Sequence, residues 1–344
     1  MDNDELKRPV PSQPLTVPHV DAQGRLQAGR YAQPWPSPRI TAPWGRRKRW
    51  HYLSFSSDRY FVALALVDLG YLGNAFVYVI DRESGQMLQT EAVVPLAWGL
   101  KLATDVRDGQ SRWRSAGKNQ VQIDAVPGGW RVTLDLRLWP QGSARRGDAV
   151  AVLGQWQVAE DAQALALLHP FSPTQWAYTH KSMGNLAQGF LQVAGLRYER
   201  SWLVASDWTD SWAQRHTRWN WASFATLLSD GRRCGLNASA HVYQDEHGQG
   251  LENAVQIDGR LYLLPHVTMA VPDRPGLAPW RIEGDGIDLK FQPLGARQQR
   301  VNAWILRSAF VQPYGMFRGT IRVGEETLVI DDAFGVVEDH DALW

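Results

Sequence analysis

From Trp50 onward, apolar and polar side chains alternate with a period of two. Trp130, Val132, Leu134, Leu136 and Leu138 are interleaved with Arg131, Thr133, Asp135 and Arg137. Successive side chains of a strand point to opposite faces, so this run predicts a strand with one buried face and one wet face. Val121, Ile123 and Ala125 alternate in the same way just upstream. Pro127-Gly128-Gly129 lies between the two runs and predicts a hairpin.

The second half repeats the style. Asp258-Gly259 separates two short apolar runs and suits a two-residue turn with positive φ at both central positions. Asp285-Gly286 leads into Ile287, Leu289 and Phe291, and Gly324-Glu325-Glu326 divides residues 317–323 from 327–330, so both predict further hairpins. Residues 60–80 are long and apolar enough to cross a bilayer. Asp68, Gly70, Gly73 and Asn74 interrupt their middle, however, and β-branched and aromatic runs flank it. Two buried strands joined by a turn are expected there, and no transmembrane segment. Only residues 159–168 invite a helix, which Pro170 would end.

Many short strands with regular turn signals predict an all-β chain, built as two antiparallel β-barrel domains. Eight prolines between Pro9 and Pro43 remove donors and fix φ, so residues 1–44 are expected as an extended proline-rich arm. Pro170-Phe171-Ser172-Pro173 is the expected boundary, giving an N-terminal barrel over 45–172 and a C-terminal barrel over 173–344.

Aromatic content changes this picture most. Seventeen Trp accompany 10 Tyr and 10 Phe among 344 residues, which suits large cores or an aromatic-lined cavity. A formal net charge of +1 argues against a nucleic-acid partner, which calls for a concentrated basic face. The run Arg46-Arg47-Lys48-Arg49 is expected as a solvated edge. Cys234 is the single cysteine, so no disulfide forms within the chain. With no apolar run in the first eight residues, a cytoplasmic address is expected. Nothing in the sequence fixes the oligomeric state.

Two stretches carry candidate chemistry. One is Ser206-Asp207-Trp208-Thr209-Asp210-Ser211-Trp212, running on to His216 and Arg218-Trp219-Asn220-Trp221. Asp207 and Asp210 are candidate acids, with Trp208, His216, Trp219, Asn220 and Trp221 as candidate ligand contacts. On a strand, Trp219 and Trp221 share one face and Asn220 takes the other. The competing reading has the aspartates capping turns and the tryptophans filling core. The second stretch is Glu338-Asp339-His340-Asp341 near the end of the chain, where Glu338 and His340 would point the same way. These two are the further candidate catalytic groups, with Lys181 and Asn237 as positioning groups. The remaining histidines are scattered rather than set at ligand spacing, so no metal site is expected. No cofactor motif appears either: there is no nucleophile elbow, no phosphate-binding loop and no dinucleotide-binding glycine triad. Both stretches are rich in ionisable groups and tryptophan, so they are expected to meet at one pocket, with Glu338 or His340 touching residues 207–220.

The same residues carry a resemblance. Lys48-Arg49-Trp50, Asp207-Trp208-Thr209, Arg218-Trp219-Asn220-Trp221-Ala222-Ser223, Gly235-Leu236-Asn237 and Gly335-Val336-Val337-Glu338-Asp339-His340, in that order, resemble the bacterial family called domain of unknown function 2804. The resemblance spans nearly all of the chain after the arm. It departs from the family pattern at Asp210-Ser211, where a glycine usually follows the Asp-Trp-Thr unit. More distantly, the chain resembles the two-barrel, lipocalin-like group that contains hydroxyneurosporene synthase and certain pericyclases, whose members hold apolar, often isoprenoid, ligands. That resemblance implies a lipocalin-like fold and assigns no residue a role.

The expected function is binding of an apolar or amphipathic small molecule, lipid or isoprenoid-like, with cofactor-free acid–base catalysis such as hydration or isomerisation as its catalytic form. Indoles bury apolar surface and stabilise cations. Two alternatives stand beside it: a carbohydrate-binding protein or glycoside hydrolase, and a non-catalytic barrel scaffold. Paired carboxylates across an open groove would mark the glycosidase, whereas one isolated acid in a dry pocket would mark the apolar-ligand protein.

Overall fold

In the computed structural model, every regular element among the described residues is a strand. The structure describes residues 26, 28–32, 39–117, 119–143, 149–264, 266–303 and 306–344, so most of the expected proline-rich arm lies outside the described residues. The first sheet opens with β1 (Gly29–Tyr31), β2 (Lys48–Ser56), β3 (Tyr60–Asp68), β4 (Leu72–Asp81) and β5 (Met87–Pro95). Next come β6 (Leu100–Lys101), β7 (Gln110–Arg114), β8 (Gln120–Val126) and β9 (Gly129–Pro140). It is completed by β10 (Val150–Ala159), β11 (Leu165–Pro170), β12 (Trp176–Val193) and β13 (Leu196–Ser211). The second sheet holds β14 (His216–Leu227), β15 (Arg233–Ala240), β16 (Ala254–Ile257), β17 (Arg260–Leu263) and β18 (Thr268–Ala270). To these it adds β19 (Trp280–Gly284), β20 (Ile287–Ala303), β21 (Leu306–Val323) and β22 (Glu326–Leu343).

The first sheet closes on itself. Strand β10 pairs with both β9 and β12, completing a ring that runs β2-β3-β4-β5-β9-β10-β12-β13 and returns to β2. Leu53, Phe55, Val62, Leu64, Trp130, Trp156 and Trp202 fill its interior. The second sheet runs in the order β17-β16-β15-β14-β22-β21-β20-β19-β18 and curls over its own core, which includes Phe224, Trp280, Phe291 and Phe317. All pairings are antiparallel, and the predicted hairpins form. At the β16–β17 turn, Asp258 and Gly259 take φ of 44° and 82°, as a type I′ turn requires.

Strand β3 explains the apolar run at residues 60–80. Val62, Leu64 and Leu66 face the barrel interior, while Phe61, Ala63 and Ala65 face the second sheet and meet Phe310, Tyr314, Phe334 and Val336. Both parities are buried, so both are apolar. No helix among the described residues is long and apolar enough to cross a membrane.

One expectation is corrected. In place of a helix at residues 159–168, the chain forms the end of β10 and the start of β11, whose Leu165–Pro170 pairs with β12. Leu165, Leu167 and Leu168 are divided among three apolar clusters, and a short strand buried on both faces shows the same apolar run as a helix. The 170–173 segment is a turn inside the first sheet, with Phe171 N donating to Gln175 O at 2.8 Å. The chain changes sheets later, between Ser211 and His216. Prolines report a break in a ladder and do not tell a hairpin turn from a boundary. From the arm, Gly29–Tyr31 joins the edge of the first sheet against β11. Cys234 is buried among apolar neighbours, and burial pushes its thiol up to about 12.

Candidate functional site

A cavity of about 130 Å³ lies between the outer face of the barrel and the facing side of the second sheet. The barrel contributes Trp50 and Tyr52 from β2, Ala65 from β3, Phe76 from β4, Lys181 from β12 and Asp207 from β13. Across from them stand Trp219 and Trp221 of β14, Phe310 and Gln312 of β21, and Glu338 and His340 of β22, with Trp344 after it. Period two sets this placement. Trp219 and Trp221 share one face of β14, Glu338 and His340 share one face of β22, and both faces look at the barrel. Paired rings from opposite sheets form the walls. Trp50 stacks on Trp219 at 6.2 Å between centroids, and Tyr52 meets Trp221 edge-on at 5.2 Å.

Glu338 is the polar feature of the second-sheet wall. Its Oε1 accepts from Trp219 Nε1 at 2.7 Å and its Oε2 from Gln312 Nε2 at 2.9 Å. The Tyr78 hydroxyl donates to Gln312 Oε1 at 2.8 Å, which turns the amide nitrogen toward Glu338. Burial pushes the Glu338 carboxyl up to about 7, although the two hydrogen bonds pull the other way. His340 lies beside it, its Nδ1 3.9 Å from Glu338 Oε1 and its Nε2 2.8 Å from Ser308 Oγ. Trp219 and Phe310 enclose the ring, at 4.3 and 5.1 Å. Burial holds the imidazole down at about 3, so it is neutral at physiological pH. Its Nδ1 is buried and lacks a hydrogen-bond partner among the described residues.

The barrel-side wall carries a second polar group. Lys181 Nζ donates to Asp207 Oδ2 and lies 3.1 Å from Glu252 Oε1. Burial pulls the Lys181 ammonium down, but the two carboxylates outweigh it and the net shift is upward. Burial raises the Glu252 carboxyl. Thr209 Oγ1 donates to Asp207 Oδ1 at 3.0 Å, so Asp207 is tied down by an ammonium and a hydroxyl.

The structure therefore brings Asp207, Lys181, Trp219, Trp221, Glu338 and His340 to one cavity, and Glu338 contacts the 207–220 segment through Trp219. Asn237 stands behind this wall. It accepts from Trp221 Nε1 at 2.8 Å and donates to Glu252 O at 2.6 Å. The other candidates lie elsewhere. Trp208 points into the barrel core beside Tyr178, because its parity is opposite to that of Asp207. Asp210 is buried against Arg47, which donates from Nε at 2.7 Å. His216 is exposed and pairs with Asp341 at 2.9 Å. Asn220 faces away from the cavity and donates to Asp339 at 2.8 Å.

Sequence reasoning missed Trp50, Tyr52, Phe76, Glu252, Gln312 and Trp344. Gln312 had a signal: it is the polar member of the row Phe310, Gln312, Tyr314. Glu252 had none, since it sits in a connection without periodicity. Among the described residues no group of three or more His, Cys, Asp or Glu is gathered as metal ligands.

In overall shape the chain is similar to crystal structures of kievitone hydratase from Nectria haematococca and of CghA. The first is 12% identical with a TM-score of 0.48, over 85% of this chain and 88% of that one. The second is 12% identical with a TM-score of 0.49, over 89% of this chain and 94% of that one. No curated protein sequence matches the chain. The Asp207, Trp219 and Glu338 motifs that converge on the cavity are the ones that carried the sequence resemblance, and the family model extends it over residues 5–344: the chain belongs to the family of the domain of unknown function DUF2804.

Proposed function

We propose that the inter-sheet cavity binds an apolar or amphipathic small molecule and that Glu338 delivers a proton to it. The observation that carries this reading is the Glu338 carboxyl, buried in an aromatic-walled cavity with no Lys or Arg in contact among the described residues, where burial pushes it up to about 7. A carboxylic acid poised near the working pH is half-protonated and gives up its proton readily. Protonation of a carbon–carbon double bond would leave a cation facing the Trp219 and Trp221 indoles, which attract it through their π faces. Water addition or loss of a different proton would complete a hydration or an isomerisation.

A glycoside hydrolase has less support. Asp207 and Glu252 are both committed to Lys181, so Glu338 stands as an isolated acid rather than as half of a carboxylate pair, and its surroundings are mostly apolar. A scaffold role has less support too, because aromatics from two sheets wall a cavity instead of filling it.

The test is native mass spectrometry of the protein purified from its host, followed by titration of tryptophan emission with farnesol and with cellobiose. A co-purifying apolar molecule, or saturable quenching by farnesol and not by cellobiose, is expected. Extraction of the bound molecule after incubation in heavy water should show deuterium on carbon for the wild type and none for Glu338→Gln. An empty protein whose emission ignores farnesol would overturn the reading.

A further inference from the structure

Beside the cavity, the barrel carries an apolar cluster that covers nothing. Trp44 is 77% exposed, Leu96 68% and Trp98 87%. Single exposed apolar side chains are ordinary, but Trp44 and Leu96 both meet Tyr71, and Trp98 stands two residues beyond Leu96 on the same turn. Trp44 packs edge-on against Tyr71 at 6.5 Å, and Leu96 N donates to Tyr71 O at 2.9 Å. The 95–98 turn that presents Trp98 is firmly built. Ala97 N donates to Val94 O, Trp98 N to Pro95 O and Leu100 N to Ala97 O. Leu96 and Ala97 hold φ of 53° and 51°, a left-handed conformation that side-chain-bearing residues adopt only where the surroundings impose it.

This cluster adjoins the end of the cavity. Lys48 Nζ lies over both Tyr71 and Trp344, at 5.0 and 5.7 Å, and Trp344 lines the cavity. Trp344 N donates to Arg215 O at 2.9 Å, while Ala213 and Thr217, on either side of Arg215, line the partly exposed mouth. Arg46 and Arg215 are both exposed, and neither has an ion pair among the described residues. Their charges reach Lys48 and Tyr71. Exposed indoles on loop tips combined with unpaired cations match the two demands of a lipid headgroup region: amphipathic rings settle at its depth, and arginines meet its negative potential.

We propose that the 95–98 turn, Trp44, Arg46 and Arg215 form a docking surface for an anionic lipid bilayer, setting the cavity mouth at the membrane. The proposal rests on the apolar-ligand reading for its purpose, because a bilayer is where such a ligand dissolves. Exposed indoles flanked by exposed arginines suit insertion among anionic headgroups better than a protein partner, which needs a pocketed, complementary face.

The test is flotation of the full chain with vesicles of phosphatidylcholine alone, and with about one third phosphatidylglycerol added. Binding to the anionic vesicles, reduced at high salt, with a blue shift of tryptophan emission, is expected. Trp98→Ala should weaken it about tenfold. Arg46→Glu and Arg215→Glu should each cost about fivefold or more. None of the three side chains lines the cavity, so farnesol binding in vesicle-free solution should be unchanged. Absence of binding to anionic vesicles, or binding indifferent to Trp98→Ala, overturns the proposal. So does self-association through Trp98 in place of vesicle binding. If the wild type binds vesicles and ignores farnesol, the cavity reading fails and the docking surface stands; the reverse result sinks the docking surface alone.

Discussion

At the residue scale, Glu338 and His340 are neighbours whose burial acts on stability with opposite signs. The folded Glu338 carboxyl holds its proton up to about 7, whereas an unfolded glutamate releases it near 4.3. The folded state therefore binds more protons across that interval, and stability falls as pH rises through it. The full contribution is present below about pH 4.3, and about 3 kcal/mol of it is lost by pH 7. His340 stays neutral down to about 3, while an unfolded histidine takes a proton near 6.5. Its contribution is present above about pH 6.5 and is lost as pH falls toward 3. In urea melts between pH 5 and 8, Glu338→Gln should remove the alkaline decline relative to the wild type. His340→Ala should instead flatten the acid side, and at neutral pH it should cost about 1–3 kcal/mol by breaking the Ser308 contact. A wild type and a Glu338→Gln variant with parallel pH profiles would mean that Glu338 is ionised throughout.

At the scale of the element, the site depends on the register between β14 and β22, which sets Trp219 opposite His340 and Trp221 opposite Glu338. Gly335 sits in that ladder opposite Phe224, and a Cβ there would lie 2.3 Å from Ser223 O. Gly335→Ala should push the two strands apart, cost about 1–3 kcal/mol and lower the melting temperature by several degrees. Gly231, with a φ of 87° and open space around it, is the control. Gly231→Ala carries a conformational penalty of about 1 kcal/mol and no clash. Equal effects from the two would mean that β14 and β22 tolerate separation. This ladder was also the most legible part of the site. Alternation alone placed Trp219 with Trp221 and Glu338 with His340, because each strand buries one face against the barrel. The facing wall was not legible. Strand β2 is buried on both sides, so Trp50 and Tyr52 carry no parity signal that separates cavity from core. Trp208 illustrates the same limit: it shares a motif with Asp207, yet alternation turns it into the barrel. Asp210 and His216 drew attention as ionisable groups; the buried Asp210 pairs with a partly exposed Arg47, and the exposed His216 pairs with Asp341. Near Pro170 the prolines mark a turn within the first sheet, because a turn within a sheet and a turn between sheets use the same residues.

At the scale of the whole molecule, the two sheets share an apolar interface that neither can leave exposed. Phe61 meets Phe334 at 5.0 Å, Phe76 meets Phe310 at 6.1 Å, and Tyr52 meets Trp221. The buried Arg297 guanidinium lies 3.9 Å from the centroid of Phe76 and pairs with Glu91 across the interface at 2.7 Å. Separating the sheets would wet the Phe61, Ala63 and Ala65 face of β3 and leave Arg297 without its partner, a combination of apolar exposure and lost charge pairing. Units joined by a large apolar interface lose the relative freedom of loosely docked domains. The barrel and the second sheet should therefore open together. In native-state hydrogen exchange across a urea series, the slowest amides of β9 and β20 should report the same opening free energy and the same denaturant dependence. Phe61→Ala, which removes a ring between the sheets, should lower both by a matching amount, about 3–5 kcal/mol. If β20 exchanges through an opening with a shallower denaturant dependence than β9, the second sheet unfolds alone, and the cavity between them is a joint that opens without loss of the barrel.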